Sequence, residues 1–381
     1  MSIESLVQEF TAAAASPKAQ LKKYKDAGYK CIGVMPYYAP EELVHAAGMV
    51  PFGMWGSNKK TISKAKEYCA TFYCTIAQLD VEMLLDGTCD LLDGVITPAI
   101  CDTLRPMTQN IRVMMEGKLP TIFLAHPQFR RPQFGLEFCR AQYTHVKTEL
   151  EKIKGGKIED EDIRNSIKVY NKSRAARREF VRLASEHCDV IDPIMRSAVL
   201  KSAWFMRKEE HTEKLLALNE ELKALPAAKW NGVKIVTSGI VVDSPALLKV
   251  LKDNHVAIAA DDVAHESRPI RVDASEEGDP MMALCRQFAD QDFDVLLYDE
   301  ESSQNRRGEF VAKLVEESGA QGLVLFMQQF CDPEEMEYPY LKKALDAHKI
   351  PFIKLGVDQQ MRDFGQAATA IQAFVDVLAL Q

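Results

Sequence analysis

Short apolar runs alternate with amphipathic stretches through the first third of this chain. Residues 1–28 space their apolar positions at helical intervals. Cys31-Ile32-Gly33-Val34-Met35 then reads as a strand. Pro40-Glu41-Glu42 opens a helix, because proline is preorganised for the first turn and acidic side chains suit the positive end of the helix dipole. Gly48 stops that helix. Val50 to Met54 is the next strand, Thr61 to Gly87 a long helical zone, and Val95 to Thr97 a strand. Leu104 to Gly117 follows as a helix and Thr121 to Ala125 as a strand. This β-α-β-α-β succession predicts a parallel sheet covered by helices.

The rhythm then breaks and returns. Residues 133–230 carry no convincing strand, and Ile163–Glu186 and Glu210–Ala224 have helical periodicity. From Gly232 the alternation resumes. Strands are expected at Val233–Thr237, Val256–Ala259, Val295–Tyr298, Leu323–Phe326 and Phe352–Leu355. Helices are expected near Pro280–Ala289, at Glu309–Ser318, Pro333–His348 and Gln360–Leu380, with another opened by Ser244-Pro245. The expected architecture is α/β, with two doubly wound, Rossmann-like parallel-sheet domains at 1–132 and 231–381. A helical linker or insertion at 133–230 joins them, and a cleft lies between them.

Both halves share a local pattern. Gly94-Val95-Ile96-Thr97 runs through Pro98-Ala99-Ile100 to Cys101-Asp102. Gly322-Leu323-Val324-Leu325-Phe326 runs through Met327-Gln328-Gln329-Phe330 to Cys331-Asp332. From the cysteine to the proline opening the next strand is 19 residues in one half and 20 in the other. Each half thus places a thiol at the carboxyl end of a strand, where open α/β sheets bind ligands. Two such thiols aimed into one crevice suggest a shared inorganic ligand.

Composition narrows the choices. The 381 residues are 47% hydrophobic with net charge −8, which disfavours nucleic acid as a partner. No apolar run spans a membrane, and the N-terminus lacks signal-peptide character, so a cytoplasmic location is expected. The nine cysteines are an odd number in an expected reducing compartment, which argues against a disulfide framework. Cys31, Cys89, Cys139, Cys188 and Cys285 read as packing thiols, since free cysteine behaves as a small hydrophobe. Several common motifs are missing. No dinucleotide G-x-G-x-x-G, P-loop, zincin pair, G-x-S-x-G elbow or C-x-x-C appears.

What remains is Cys101, Cys331 and the pair Cys69/Cys74. Thiolates select iron–sulfur clusters, zinc or copper(I). Scattered cysteines are unlike the clustered ligands of a ferredoxin, and three ligands on a four-iron cluster leave one iron open as a Lewis acid. On a continuous helix Cys69 and Cys74 would point about 140° apart. Cys74 starts the better amphipathic stretch, where a helix N-terminus favours a thiolate, and Cys69 is the alternative. Arg174, Arg177, Arg178 and Arg182 form a basic helix face, read first as solvated surface and second as an anion-binding surface.

Three segments then become familiar. Phe72-Tyr73-Cys74-Thr75, Ile100-Cys101-Asp102-Thr103-Leu104-Arg105 and Gln329-Phe330-Cys331-Asp332-Pro333 resemble the cluster-binding segments of the 2-hydroxyacyl-CoA dehydratase and benzoyl-CoA reductase family. Gly33 to Leu43 and Ala46-Ala47-Gly48-Met49 resemble its opening. The likeness covers nearly the whole chain, and Thr75 stands where many relatives have proline.

The resemblance implies a [4Fe-4S] cluster held by Cys74, Cys101 and Cys331, and a heterodimer with a homologous alpha subunit. It also implies a separate ATP-dependent iron–sulfur activator and, without a recognisable motif here, a flavin (FMN). The implied reaction removes water from a 2-hydroxyacyl-CoA such as (R)-2-hydroxyglutaryl-CoA, during anaerobic glutamate fermentation. One electron on the thioester carbonyl gives a ketyl radical that expels the α-hydroxyl and acidifies the β-hydrogen. The electron is then recovered. An electron-consuming reductase subunit and a non-catalytic electron relay are the alternatives. No catalytic acid or base is identified. Expectations attached to this picture are helix caps at Asp102 and Asp332 and hydrogen bonds from Ser238 and Gln329 to cluster sulfur. Arg306-Arg307 and the Arg174 helix are expected to meet CoA phosphates or the partner.

Overall fold

A computed structural model describes residues 2–35, 37–226, 228–300 and 306–380. Helices α1 (Ile3–Ala15) and α2 (Pro17–Asp26) lead into β1 (Cys31–Val34), α3 (Glu41–Ala46) and β2 (Val50–Gly53). Next come α4 (Thr75–Leu85), β3 (Gly94–Pro98), α5 (Leu104–Met114) and β4 (Thr121–Leu124). Four helices follow with no strand between them: α6 (Gln133–Lys154), α7 (Asp160–Glu186), α8 (Pro193–Ser202) and α9 (Lys208–Lys223). The second α/β part comprises β5 (Val233–Gly239), α10 (Pro245–Asp253), β6 (Val256–Val263), α11 (Pro280–Ala289) and α12 (Arg306–Ser318). It ends with β7 (Gly322–Gln328), α13 (Asp332–Ala347), β8 (Phe352–Val357) and α14 (Gly365–Leu378).

Each α/β part holds one four-stranded, wholly parallel sheet. The orders are β2-β1-β3-β4 and β6-β5-β7-β8, which are the same topology. The chain therefore contains two doubly wound lobes, as the alternating pattern predicts. In each, the strand order reverses between the first and third strands, the position where such sheets take ligands at their carboxyl ends. Strands β3 and β7 are buried at every position, as sheets covered on both faces require. Helices α7, α8 and α9 pack with α1 in a separate core built from Leu6, Phe10, Phe180, Leu215 and Leu218, while α6 packs against the first sheet.

Several elements differ from the expected pattern, each for a local reason. Val295–Tyr298 is a turn. The Asp294 carboxylate accepts the Leu296 N–H, and its backbone carbonyl accepts the Leu297 N–H, so the segment folds on itself. The zone 61–87 is interrupted: a short 3-10 turn at Lys64–Glu67 precedes α4. The Glu82 carboxylate draws that turn in by accepting the Ser63 and Ala65 N–H groups. The N-terminal stretch splits at Ser16-Pro17, where proline starts α2. The last helix begins at Gly365, because Gln359 and Gln360 hold the other lobe instead.

Those glutamines stitch the lobes together. Gln359 donates to the Trp55 carbonyl at 2.6 Å, Gln360 to the Lys60 carbonyl at 2.8 Å, and Gln328 to the Thr75 hydroxyl at 3.3 Å. Gly56 sits at this seam with φ +70°, where an added Cβ would lie 2.2 Å from Gln359 Oε1. Only glycine meets both demands cheaply.

Candidate functional site

Of the nine cysteines, six are buried and three keep partial exposure: Cys74, Cys101 and Cys331. Those three line one cavity between the lobes, with about 630 Å³ of empty space, the part open to solvent included. Cys69 packs into the core of the first lobe and is absent from the cavity wall. The helical break explains the separation. Cys74 is the residue from which α4 starts, whereas Cys69 belongs to the preceding turn.

Each thiol stands at a helix N-terminus. Cys74 and Cys331 immediately precede α4 and α13, and Cys101 lies three residues before α5 and accepts the Leu104 N–H at 3.4 Å. Free N–H groups and helix dipoles from three directions thus converge on one space and favour negative charge there. The protonated thiols are held in that state mainly by burial. Cys74 is pushed up to about 12, and Cys101 and Cys331 also rise. Mutual repulsion adds to this, since Cys101 raises Cys74, and Cys74 with Cys101 raises Cys331. A cationic core between them would reverse both effects.

The remaining wall is largely apolar, with Ile76, Ala77, Ile100, Leu104, Ile240 and Leu296. Among the described residues, no three His, Cys, Asp or Glu side chains gather closely enough for a single metal ion. Three thiols that line one space could each bind a different iron of a multi-atom cluster.

Phe330 presents Cys331 through a left-handed turn at φ 60°, uncommon for a bulky side chain. Its N–H donates to Glu335 Oε1 at 3.0 Å, which fixes the turn. Nothing in the local sequence signals this conformation. Asp80 lines the cavity on the other side. It is pushed up to about 8 by burial, against a single backbone donor, Gly56 N–H at 2.8 Å.

Several expected roles fall elsewhere. Neither Asp102 nor Asp332 caps its helix: Thr103 and Cys331 occupy those positions without side-chain caps. Ser238 donates to Asp262 and accepts from Arg307 in a buried ionic network. Gln328, not Gln329, lines the cavity. Arg307 is buried against Asp262 and Glu337, and Arg306 pairs with Asp292 and Asp299, so both serve the fold. Arg174 is buried against Glu42 and Asp273, and Arg177 is buried beside it, which removes both from a solvated face. Arg178 binds Asp273 and Arg182 binds Glu186 at the surface.

Among the described residues, no helix is long and apolar enough to cross a membrane. The (R)-2-hydroxyglutaryl-CoA dehydratase subunit beta of Acidaminococcus fermentans is 59% identical over 99% of this chain and all of its own length. The (R)-phenyllactyl-CoA dehydratase beta subunit of Clostridium sporogenes is 41% identical over 98% of this chain and 99% of its own. The lactoyl-CoA dehydratase subunit beta of Anaerotignum propionicum is 37% identical over 99% of each. A family profile, the 2-hydroxyglutaryl-CoA dehydratase D-component, matches residues 36–378. With two like-wound lobes facing one thiol-lined cavity, the chain belongs to the 2-hydroxyglutaryl-CoA dehydratase D-component family.

Proposed function

We propose that this chain is one subunit of a 2-hydroxyacyl-CoA dehydratase and that Cys74, Cys101 and Cys331 hold a [4Fe-4S] cluster. The observation that carries the reading is the selective exposure of these three thiols into one interlobe cavity. The residues present fit the group: three sulfurs, three helix N-termini and an apolar wall. When bound, such a cluster supplies one-electron chemistry and, at an iron without a protein ligand, a Lewis-acid position.

The chain's own residues prepare the space. The N-termini of α4, α5 and α13 offset the charge of three thiolates, each by about 0.3–1 kcal/mol. The Ile76, Ile100, Leu104 and Ile240 side chains limit water near the thiols. Asp80, pushed up to about 8, keeps its proton at neutral pH and adds no fixed negative charge to the buried wall. Gln328 and Gln359, bonded across the seam, hold the lobes at a fixed opening.

The reaction proposed is (R)-2-hydroxyglutaryl-CoA to glutaconyl-CoA plus water. The acyl group follows the most similar of the three relatives described. A homologous alpha subunit and an ATP-dependent iron–sulfur activator complete the system, and the relatives' designation as beta subunits supports the first of these.

The test is anaerobic isolation with iron and sulfide analysis. About four irons and four sulfides per chain are expected, lost on Cys101→Ser, Cys331→Ser or Cys74→Ser and retained on Cys69→Ser. A folded wild-type chain free of iron, or loss with Cys69→Ser alone, refutes the assignment. With partner and activator present, electrons should be needed in trace amounts per product. Stoichiometric consumption would point to a reductase.

A further inference from the structure

A second recess opens beside the carboxyl end of β1, at the switch point of the first sheet. It encloses about 630 Å³ of empty space, the part open to solvent included, and shares only Tyr37 with the thiol-lined cavity. Helix α7 supplies Tyr170, Arg174 and Arg177 to its wall, spaced so that they share a helix face. Lys208 from α9 and Glu41 and Glu42 from α3 complete its charged lining.

The ion pairs of this recess leave one cation over. Arg174 is bonded to Glu42 at 2.7 Å, to Asp273 at 3.2 Å and to Asn171 at 2.7 Å. Lys208 is bonded to Glu41 at 2.9 Å and to the Ala203 carbonyl at 2.7 Å. Tyr170 also donates to Glu41, at 3.1 Å. Arg177 has 6% of its surface exposed, yet its single hydrogen bond runs from Nε to the Ser173 carbonyl one turn back on its own helix, at 3.4 Å. No carboxylate among the described residues forms an ion pair with its guanidinium. Burial lowers Arg177 to about 10, against the attraction of the Glu41 and Glu42 carboxylates, which act on it without bonding to it, so it remains charged at neutral pH. A second orphan stands in the same wall: the amide oxygen of Gln291 is buried without a partner.

A buried guanidinium with no directly bonded counter-ion is costly, and a ligand that bonds to it relieves the cost. Its two terminal nitrogens form a planar fork that matches the two oxygens of a carboxylate or phosphate. The geometry points to a small oxyanion, a carboxylate or a phosphate, bound in this recess by the Arg177 fork with Lys208 and Arg174 as flanking charges. The site depends on none of the cysteines. Loss of iron from a thiol variant leaves it intact, and its own failure leaves the cluster assignment standing.

The experiment uses the full chain at constant ionic strength, with chloride as the balancing ion. Inorganic phosphate, acetate and glutarate are titrated separately, read by isothermal titration and by the thermal unfolding midpoint. A saturable heat and a rising midpoint are expected with at least one oxyanion, because a ligand specific for the folded state stabilises it. Response to phosphate alone assigns a phosphoryl source. Response to acetate or glutarate alone assigns an organic acid. Arg177→Met should abolish the response and raise the midpoint of the ligand-free chain, because an unpaired charge has gone. Arg177→Lys keeps the charge without the fork and should weaken binding about ten-fold. It serves as the deciding variant should Arg177→Met fail to fold. The inference is overturned if none of the three anions binds saturably, or if Arg177→Lys binds them as tightly as the wild type.

Discussion

The two lobes share strand order and thiol placement but treat buried charge in opposite ways. In the first lobe, Asp80 lies behind Cys74 with one backbone N–H as its partner, and burial pushes it up to about 8. In the second, Asp262 at the end of β6 is just as buried but faces Arg268, Arg271 and Arg307. Those three guanidiniums hold it far below the usual carboxylate range. Burial is common to both carboxyls, so it does not set their charge state; the partners do. The consequence reaches the site. The first lobe gives the cavity two thiols and the uncharged Asp80, with Asp102 at the wall, and the second gives one thiol backed by an ionic scaffold that includes Glu334 and Glu337 of α13.

The largest expected effect tests that contrast directly. Asp262→Asn keeps the shape but leaves two buried guanidiniums and the half-buried Arg271 short of charge, and should destabilise the chain by about 3–5 kcal/mol. Asp80→Asn replaces a carboxyl that is already neutral, keeps an acceptor for Gly56, and should cost under about 1 kcal/mol. Urea unfolding of both variants at pH 7 decides. Equal losses would mean that Asp80 is ionised in the fold and that the lobes do not differ as described.

The seam between the lobes gives the next effect. Gly56→Ala imposes a left-handed alanine, about 1–2 kcal/mol, and drives Cβ toward Gln359 Oε1. Gln359→Ala removes the obstacle together with the bond to Trp55. In the double variant the steric part should vanish while the backbone part remains. The coupling between the two substitutions is therefore expected to be favourable, in the range of about 0.5–3 kcal/mol. Additive losses would show that the two residues do not press on one another across the seam.

The contrast between lobes was only partly legible in the sequence. A strand end followed by cysteine is a local signal for Cys101 and Cys331, and the start of an amphipathic stretch favours Cys74 over Cys69; the three line the same cavity. Charge pairing is not local. Arg174 looked solvated because its partners Glu42 and Asp273 lie 132 and 99 residues away. The expectation for Gln329 fails because β7, which reads from sequence as ending at Phe326, runs on to Gln328. In an extended chain a one-residue difference turns the side chain to the other face. Val295–Tyr298 reads as a strand in the sequence because a short apolar run carries no period of its own. The Asp294 carboxylate that folds it also accepts hydrogen bonds from Tyr37 and Tyr38, more than 250 residues away.

The buried imidazoles His126 and His265, unlike the carboxyls Asp80 and Asp262, are treated alike in the two lobes. His126 follows β4 in the first lobe, His265 follows β6 in the second, and His211 lies on α9 in the helical layer. Burial pushes the first two down to about 4 and the third to about 3. An unfolded histidine titrates near 6.5. Between pH 6.5 and 4 the unfolded chain therefore binds protons that the folded chain refuses, and stability falls as the solution is acidified. Above pH 6.5 these residues add no pH dependence. Each contributes a slope of up to about 1.4 kcal/mol per pH unit inside that window. His211→Gln should flatten the stability profile between pH 6 and 4.5 by one such increment, and His126→Gln and His265→Gln by the same amount. A profile flattened by His126→Gln but not by His265→Gln would show that the second lobe's charges, with Asp243 and Asp261 nearest, hold a proton on His265. The lobes would then differ in their imidazoles as they do in their carboxyls.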